Sequence, residues 1–194
     1  MRFIINKFIY YYFLIFLILT ILCSIFYYSS NVLLENDFLD SASYFSNDEF
    51  FWPLPGYNRI SSYFGPRVSP TSGASSMHSG IDIPAQEGSF IYAVLSCKVI
   101  STSFRGAGGY TIVTESGEYQ ISYCHVSPNF VVFPGQVVEQ GHQIGTVGPK
   151  NVYGAPNNPY KDSNGNPTNG ATTGPHLHLT IRKNGTLINP LDLF

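Results

Sequence analysis

The stretch HLHLTIRKNGTLINP, residues 176 to 190, constrains the fold more than any other part of the chain. Polar and aliphatic residues alternate from His176 to Arg182, and in an extended strand residues two apart point to the same face. Leu177, Leu179 and Ile181 therefore share one face, and His176, His178, Thr180 and Arg182 share the other. Asn184-Gly185 then stands between two apolar runs, the strongest short-range signal for a β-hairpin. Turning the three aliphatic side chains into a core forces both histidines onto the opposite face, where they look into one cleft. Two solvated strand histidines would give the same pattern, so the pair alone does not specify chemistry.

The rest of the sequence from Phe50 onward has the same grain. SFIYAVLSCKVISTSF (89–104) is rich in β-branched and aromatic residues, and GYTIVTES and YQISYCHVS flank Gly117 as the arms of a second hairpin. No segment beyond the N-terminal apolar stretch carries a helical period of useful length. The expectation is a mainly β protein, a small antiparallel β-sheet or sandwich domain over residues 50–194. About 140 residues suffice to bury a core. One stretch departs from this economy: GPKNVYGAPNNPYKDSNGNPTNGATTG (148–174) is dominated by Gly, Asn, Pro and Thr. A loop of that length in a compact domain is usually functional or disordered. It reads as a rim over a binding groove, the alternative being a loose surface insertion.

The N-terminus belongs to another class. From Phe8 to Tyr28 there is no charged residue, and as a helix this stretch would span about 30 Å, the thickness of a hydrocarbon core. A cleaved signal peptide would have a shorter apolar region and a small-residue cleavage site, and Leu22 before Cys23 does not suit a lipoprotein. The expectation is one N-terminal transmembrane helix, an uncleaved anchor occupying residues 1–28, with tyrosines near both ends at the interfaces. Arg2 and Lys7 precede it while Glu35, Asp37 and Asp40 follow. The positive-inside bias then puts the N-terminus in the cytoplasm, with the domain extracytoplasmic and the cytoplasmic membrane as its anchor. Residues 29–49 read as a linker reaching about 25 Å on average. A net charge of −2 with 11% charged residues offers no basic patch for nucleic acid.

In an oxidising compartment Cys97 and Cys124 could form a bridge, or each could be a small buried residue of a strand. Spacing does not decide between the two.

The chemistry-bearing residues lie in two places. MHSGIDIP sets His78 and Asp82 four apart. Gly80 and Pro84 disfavour a helix there. In a flat strand the two α-carbons would be about 13 Å apart. Joint metal binding therefore requires a bend, for which Gly80 provides the freedom. Together with one histidine of H-x-H, they make two imidazoles and a carboxylate. Three protein ligands with an open fourth position is the arrangement of a catalytic zinc site, whose metal polarises a carbonyl and acidifies water. No H-E-x-x-H glutamate is present. The proton carriers on offer are the non-ligating histidine of H-x-H and His125 in SYCHVS, because histidine titrates near neutrality. Cys124 and His125 are adjacent in a strand and are expected on opposite faces, which removes a Cys–His nucleophile pair. His142 in EQGHQIG reads as a surface residue in a turn.

These motifs together resemble the lysostaphin and LytM-type zinc endopeptidases of bacterial cell walls. The resemblance runs through FWPLPGYNRISSYFGPRVSP, HSGIDIPA, YCHVS, GQVVEQGHQIGTVG and TTGPHLHL, nearly the whole domain. It implies a small antiparallel β fold with a groove, one zinc ion held by His78, Asp82 and His178, and His176 and His125 as catalytic histidines. It also implies peptidoglycan peptide crosslinks as substrate, with wall enzymes as possible partners. A catalytically silent module that binds wall or activates an amidase is the alternative within the same fold. Arg67 fits the pattern and reads as structural. The long 148–174 insertion and Leu179-Thr180, where the family more often has Phe-Glu, are departures, and the first puts groove access and specificity in question.

Overall fold

The computed structural model describes residues 12–27 and 49–194. Contacts divide the chain into two compact units, Met1–Ser46 and Asn47–Phe194, taken in turn here. In the first, the described residues form one helix, α1, over 12–27. It is apolar along its length. Thr20 Oγ1 and Ser24 Oγ donate back to the carbonyls of Leu17 and Thr20 at 2.8 and 2.9 Å. At 1.5 Å per residue the described part of α1 is about 24 Å long. The expected transmembrane helix is corrected to that extent: among the described residues, no helix is long and apolar enough to cross a membrane. The ends of the Phe8–Tyr28 stretch and nearly all of the 29–49 linker lie outside the described residues.

The second unit is the expected antiparallel β domain. Its strands are β1 (Gly65–Pro66), β2 (Met77–His78), β3 (Ile81–Pro84), β4 (Phe90–Tyr92), β5 (Cys97–Phe104), β6 (Tyr110–Ser116) and β7 (Tyr119–Cys124). β8 (Val137–Val138), β9 (Gln143–Thr146), β10 (His176–Lys183) and β11 (Thr186–Ile188) complete the set. The main sheet runs β11-β10-β7-β6-β5-β8, and β3 also pairs with β10. Strand β10 organises it. One edge of β10 pairs with β7 from His178 to Lys183; the other is shared, with β3 against His176–Leu179 and β11 against Ile181–Lys183. Ribbons β1–β2 and β4–β9 stand apart from this sheet, so the 89–104 run breaks into two strands in different sheets.

Both predicted hairpins form. Lys183 pairs with Thr186 around Asn184-Gly185, and Ser116 with Tyr119 around Gly117. Asn184 and Gly185 both take positive φ, 49° and 78°, which a two-residue hairpin loop requires.

The alternation in β10 resolves as expected. Leu177, Leu179 and Ile181 are fully buried, alongside Ile81 and Ile83 of β3 and Ile121 and Tyr123 of β7. Ile91 of β4 and Ile144 of β9 close over them in the same core cluster. Burying one such aliphatic side chain contributes about 1.5–3 kcal/mol, so the face of β10 is set by several side chains acting together. The opposite face carries His178, Asp82 and the cleft.

Cys97 and Cys124 are both free and buried. Cys97 belongs to the core on β5, whereas Cys124 lines the cleft two strands away on β7. The two lie on opposite sides of the sheet, so of the two readings the buried-residue one holds.

Candidate active site

Strand register brings the distant residues together. His178 lies directly across from Asp82 of β3 on one side and from Cys124 of β7 on the other. His78 arrives from β2, which Ser79-Gly80 separates from β3. The chain therefore bends between His78 and Asp82 as the spacing requires. The reason Gly80 is needed is closeness, however, not conformational freedom. A Cβ there would run into the main-chain carbonyl of Leu179 and approach Thr180 Oγ1.

His78 Nε2 lies 2.9 Å from His178 Nδ1 and 3.1 Å from Asp82 Oδ1, and His178 Nδ1 lies 2.8 Å from Asp82 Oδ1. These residues are the one set among the described residues whose His, Cys or acidic groups converge closely enough to hold a metal.

Hydrogen bonds at the far side of each group decide what faces the centre. His78 Nδ1 is 2.8 Å from the main-chain oxygen of Tyr63, which only accepts, so Nδ1 carries the proton and Nε2 is bare. His178 Nε2 is 2.8 Å from Thr180 Oγ1; with Nε2–H donating there, Nδ1 is bare. Arg67 Nη1 donates to Asp82 Oδ2 at 3.1 Å and to Ser62 Oγ at 2.6 Å, which leaves Oδ1 for the centre. Three lone-pair atoms at such distances repel unless a cation stands among them. Donors bound to a tetrahedral zinc at about 2.0–2.1 Å sit roughly 3.3 Å apart, so this donor set fits such an ion with little adjustment.

The electrostatics agree. Burial raises Asp82, but the neighbouring imidazoles of His176, His178 and His78 outweigh it and hold the carboxyl well below the ordinary carboxylate range. Burial lowers His178, against the pull of Asp82. Both shifts favour a carboxylate and a neutral imidazole, the forms that ligate metal.

The other two histidines flank this centre. His176 Nδ1 donates to the Gly174 carbonyl at 2.8 Å, which leaves Nε2 bare, 3.6 Å from Asp82 Oδ1. The His125 ring centroid is 4.6 Å from that of His176 and 6.3 Å from that of His178. Its Nδ1 donates to the Asn169 carbonyl at 2.7 Å. Burial, then the neighbouring His176 and His178, pushes His125 down to about 3, so the ring is neutral at physiological pH.

Strand alternation misplaces one pair. Cys124 and His125 are not on opposite faces: both line the cleft. Cys124 points there by register with His178, and His125 joins it because its backbone leaves the strand at φ 59°. The thiol is nevertheless no nucleophile, because burial raises it to about 11 and thereby keeps it protonated. His142 is exposed, as expected, and does not line the cleft.

The cleft has a volume of about 750 Å³. The 148–174 insertion contributes Ala171, Thr173 and Gly174, near its end, to one wall. The rest is neither loose nor a flap. Bridges Asn151–Thr168 and Lys161–Pro167 fold it on itself. Asp162 accepts from the main-chain N–H groups of Asn164 and Asn166 and from the Asn151 side chain. Tyr160 packs on Gly73 of the β1–β2 connection, while Asn169 and Gly170 press on residues 107–109, so the insertion reaches both walls of the cleft.

Three supporting residues escaped the sequence reading, Thr180, Tyr63 through its carbonyl, and Asn169, while Arg67 was read as structural only. Thr180 had a signal, since it shares the strand face of His178. A main-chain carbonyl such as that of Tyr63 leaves none.

The sequence carries the same signature over most of the domain. Residues 76–190, which contain all five histidine and aspartate positions of the site, match Peptidase family M23. An uncharacterized metalloprotease of Haemophilus influenzae is 32% identical over 73% of this chain and 26% of its own length. The DD-carboxypeptidase/endopeptidase Mpg of Neisseria meningitidis is 31% identical over 71% of this chain and 27% of its own. The chain thus spans about a quarter of the length of these curated relatives. Among solved structures, a zinc-containing peptidase from Vibrio cholerae matches with a TM-score of 0.56 at 26% identity, over 73% of this chain and 39% of that one. The catalytic domain of lysostaphin from Staphylococcus simulans matches with 0.53 at 25% identity, over 69% and 90%. With its two-imidazole, one-carboxylate centre at the heart of the matched segment, the chain belongs to peptidase family M23.

Proposed function

We propose that the domain is a zinc metalloendopeptidase that hydrolyses the peptide crosslinks of bacterial peptidoglycan. The convergence of His78 Nε2, Asp82 Oδ1 and His178 Nδ1 within 2.8–3.1 Å of one another carries this reading. The relatives point the same way, one named a DD-carboxypeptidase/endopeptidase and one a peptidoglycan DD-endopeptidase.

In this reading His78, Asp82 and His178 hold one zinc ion. Bound zinc supplies Lewis acidity towards a carbonyl and lowers the pKa of water at the site. His125 and His176 are the catalytic pair. Each donates Nδ1–H to a main-chain carbonyl, so each keeps a bare Nε2 that can accept a hydrogen bond from an attacking water. With ring centroids 4.6 Å apart the pair holds one added proton rather than two. The member that has taken it donates a hydrogen bond to the oxygen on which charge develops.

The domain is assigned to the outer side of the cytoplasmic membrane, held there by residues 8–28. This placement rests on the uncharged Phe8–Tyr28 stretch with basic residues before it and acidic ones after. The hydroxyls of Thr20 and Ser24, satisfied by the helix itself, suit an apolar surrounding.

The test uses the full-length chain in detergent micelles with crosslinked peptidoglycan fragments. New amino termini are expected by mass spectrometry, abolished by a chelator and restored by zinc. Protein that carries no zinc and cleaves nothing, yet still binds wall fragments, would replace the peptidase with a silent binding module.

A further inference from the structure

Asn169 is fully buried, and every polar group it owns is engaged. Its main-chain N–H donates to the Lys150 carbonyl at 2.9 Å, and its main-chain oxygen accepts from His125 Nδ1 at 2.7 Å. Its side-chain Oδ1 accepts from the Tyr110 N–H at 2.8 Å, and its Nδ2 donates to the Val126 carbonyl at 3.0 Å.

The last two bonds have a particular meaning. Val126 N–H donates directly to the Tyr110 carbonyl at 3.0 Å. In a regular antiparallel pair the reverse bond, Tyr110 N–H to Val126 C=O, would complete the exchange. Here the carboxamide of Asn169 stands in its place and relays donor to acceptor. Strands β6 and β7 are thereby held open just where His125 leaves the ladder at φ 59°.

The surroundings are shaped for this wedge. A Cβ on Gly109 would strike the main-chain and side-chain oxygens of Asn169, and one on Gly148 would meet its Nδ2 at 2.7 Å. His125 itself is tied on both sides, its N–H to Gly108 at 2.8 Å and its carbonyl to Gly148 N–H at 2.9 Å.

We infer that Asn169 is a positioning residue for His125, its carboxamide bracing the strand ends while its main-chain carbonyl fixes the imidazole as the Nδ1–H tautomer, with bare Nε2 in the cleft. A carboxamide offers the acceptor for Tyr110 and the donor for Val126 on two separate atoms of one short side chain. Alanine leaves both main-chain groups unpaired, and aspartate sets a carboxylate oxygen against a carbonyl. The catalytic consequence rests on the peptidase reading; the tautomer does not.

The experiment is ¹⁵N NMR of the histidine-labelled full-length chain in micelles, with zinc bound, beside Asn169→Ala and Asn169→Asp. His125 is expected as the Nδ1–H tautomer in the unsubstituted protein, and mixed or inverted in both variants. Zinc content is expected to stay the same, because Asn169 touches no ligand. On wall fragments the variants are expected to lose about 10²-fold in kcat with KM little changed, the signature of a displaced catalytic group. An Nε2–H tautomer for His125 in the unsubstituted protein overturns the inference without any variant. So does a folded variant with an unmoved tautomer or unchanged kcat. An unsubstituted protein that cleaves nothing, but whose His125 tautomer shifts on substitution, would bring down the peptidase reading and leave the positioning role standing.

Discussion

Asp82 and His178 face one another in register across β3 and β10, their Oδ1 and Nδ1 atoms 2.8 Å apart. Two segments almost a hundred residues apart in sequence are thus coupled by the backbone ladder before any metal arrives. The ladder also fixes the order of events in folding: the centre cannot form until β10 has docked against β3.

Replacing Asp82 by alanine removes a proposed zinc ligand and leaves the Arg67 guanidinium without its carboxylate. Zinc content measured by atomic emission should fall from the one ion per chain expected of the parent to near zero, and cleavage should fall with it. Asp82→Asn is expected to behave alike, because its neutral amide does not replace the carboxylate charge. Retention of a full zinc complement in either variant would show that Asp82 is not a ligand.

Thr180 fixes His178 from behind, through Nε2 at 2.8 Å. Thr180→Val removes the acceptor without changing the volume much, so the imidazole is free to turn or to change tautomer. Loss of such an outer partner typically weakens metal binding 10–100-fold, and competition against a chromophoric chelator should read a change of that order. Thr180→Ser should restore most of the affinity. Equal affinities in all three proteins would show that the contact has no orienting role.

What could be read in the sequence, and what could not, follows from how local each cause is. The face of β10 depends on three aliphatic residues in one strand, so alternation suffices to place Leu177, Leu179 and Ile181. The hairpin at Asn184-Gly185 depends on two residues that tolerate positive φ. His125 depends on neither. Its departure from β7 is imposed by Gly108, Gly148 and Asn169, which are distant in sequence, and alternation therefore put Cys124 and His125 on opposite faces when both enter the cleft. Asn169 was hidden for a related reason. In a stretch rich in Asn and Gly, one fully bonded asparagine looks like its solvated neighbours. Gly80 was identified, but for conformational freedom, because a clash with the Leu179 carbonyl exists only once β3 and β10 have paired.

The two buried thiols give a prediction in pH. Burial raises both Cys97 and Cys124 from 9.0 to about 11. Folded-state values above the unfolded ones mean that the folded protein holds these protons more tightly. That stabilisation, on the order of 2–3 kcal/mol per thiol, is fully present below about pH 9 and is lost as the pH rises through about 11. Alkylation of both residues, mapped by peptide mass, should be negligible in the native chain at pH 8 and rapid in denaturant. Mobility on reducing and non-reducing gels should match. Fast native labelling, or a recovered Cys97–Cys124 peptide, would contradict the buried-thiol arrangement.

Gly80 supplies the test of how the centre is assembled. Its α-carbon passes so close to β10 that an added Cβ meets the Leu179 carbonyl and, at 3.0 Å, Thr180 Oγ1. The obstacle is main-chain oxygen in a paired strand, which cannot swing aside as a flexible side chain would. Gly80→Ala must therefore push β3 away from β10 or shift the bend that carries His78. Overpacking of this kind costs about 1–3 kcal/mol and occasionally more, equivalent to a loss of roughly 2–12 °C in Tm for a chain of this size. Because the displaced strand carries Asp82 and the bend carries His78, zinc affinity should fall in parallel with stability, although no ligand has been changed. The comparison is Gly185→Ala, at a positive φ of 78° in the distal hairpin, where an added Cβ meets nothing within 4 Å. That variant should lose stability through backbone strain while its folded fraction binds zinc as tightly as the parent. Equal zinc affinities for Gly80→Ala and Gly185→Ala would mean that the packing of β3 on β10 does not set the geometry of the metal ligands.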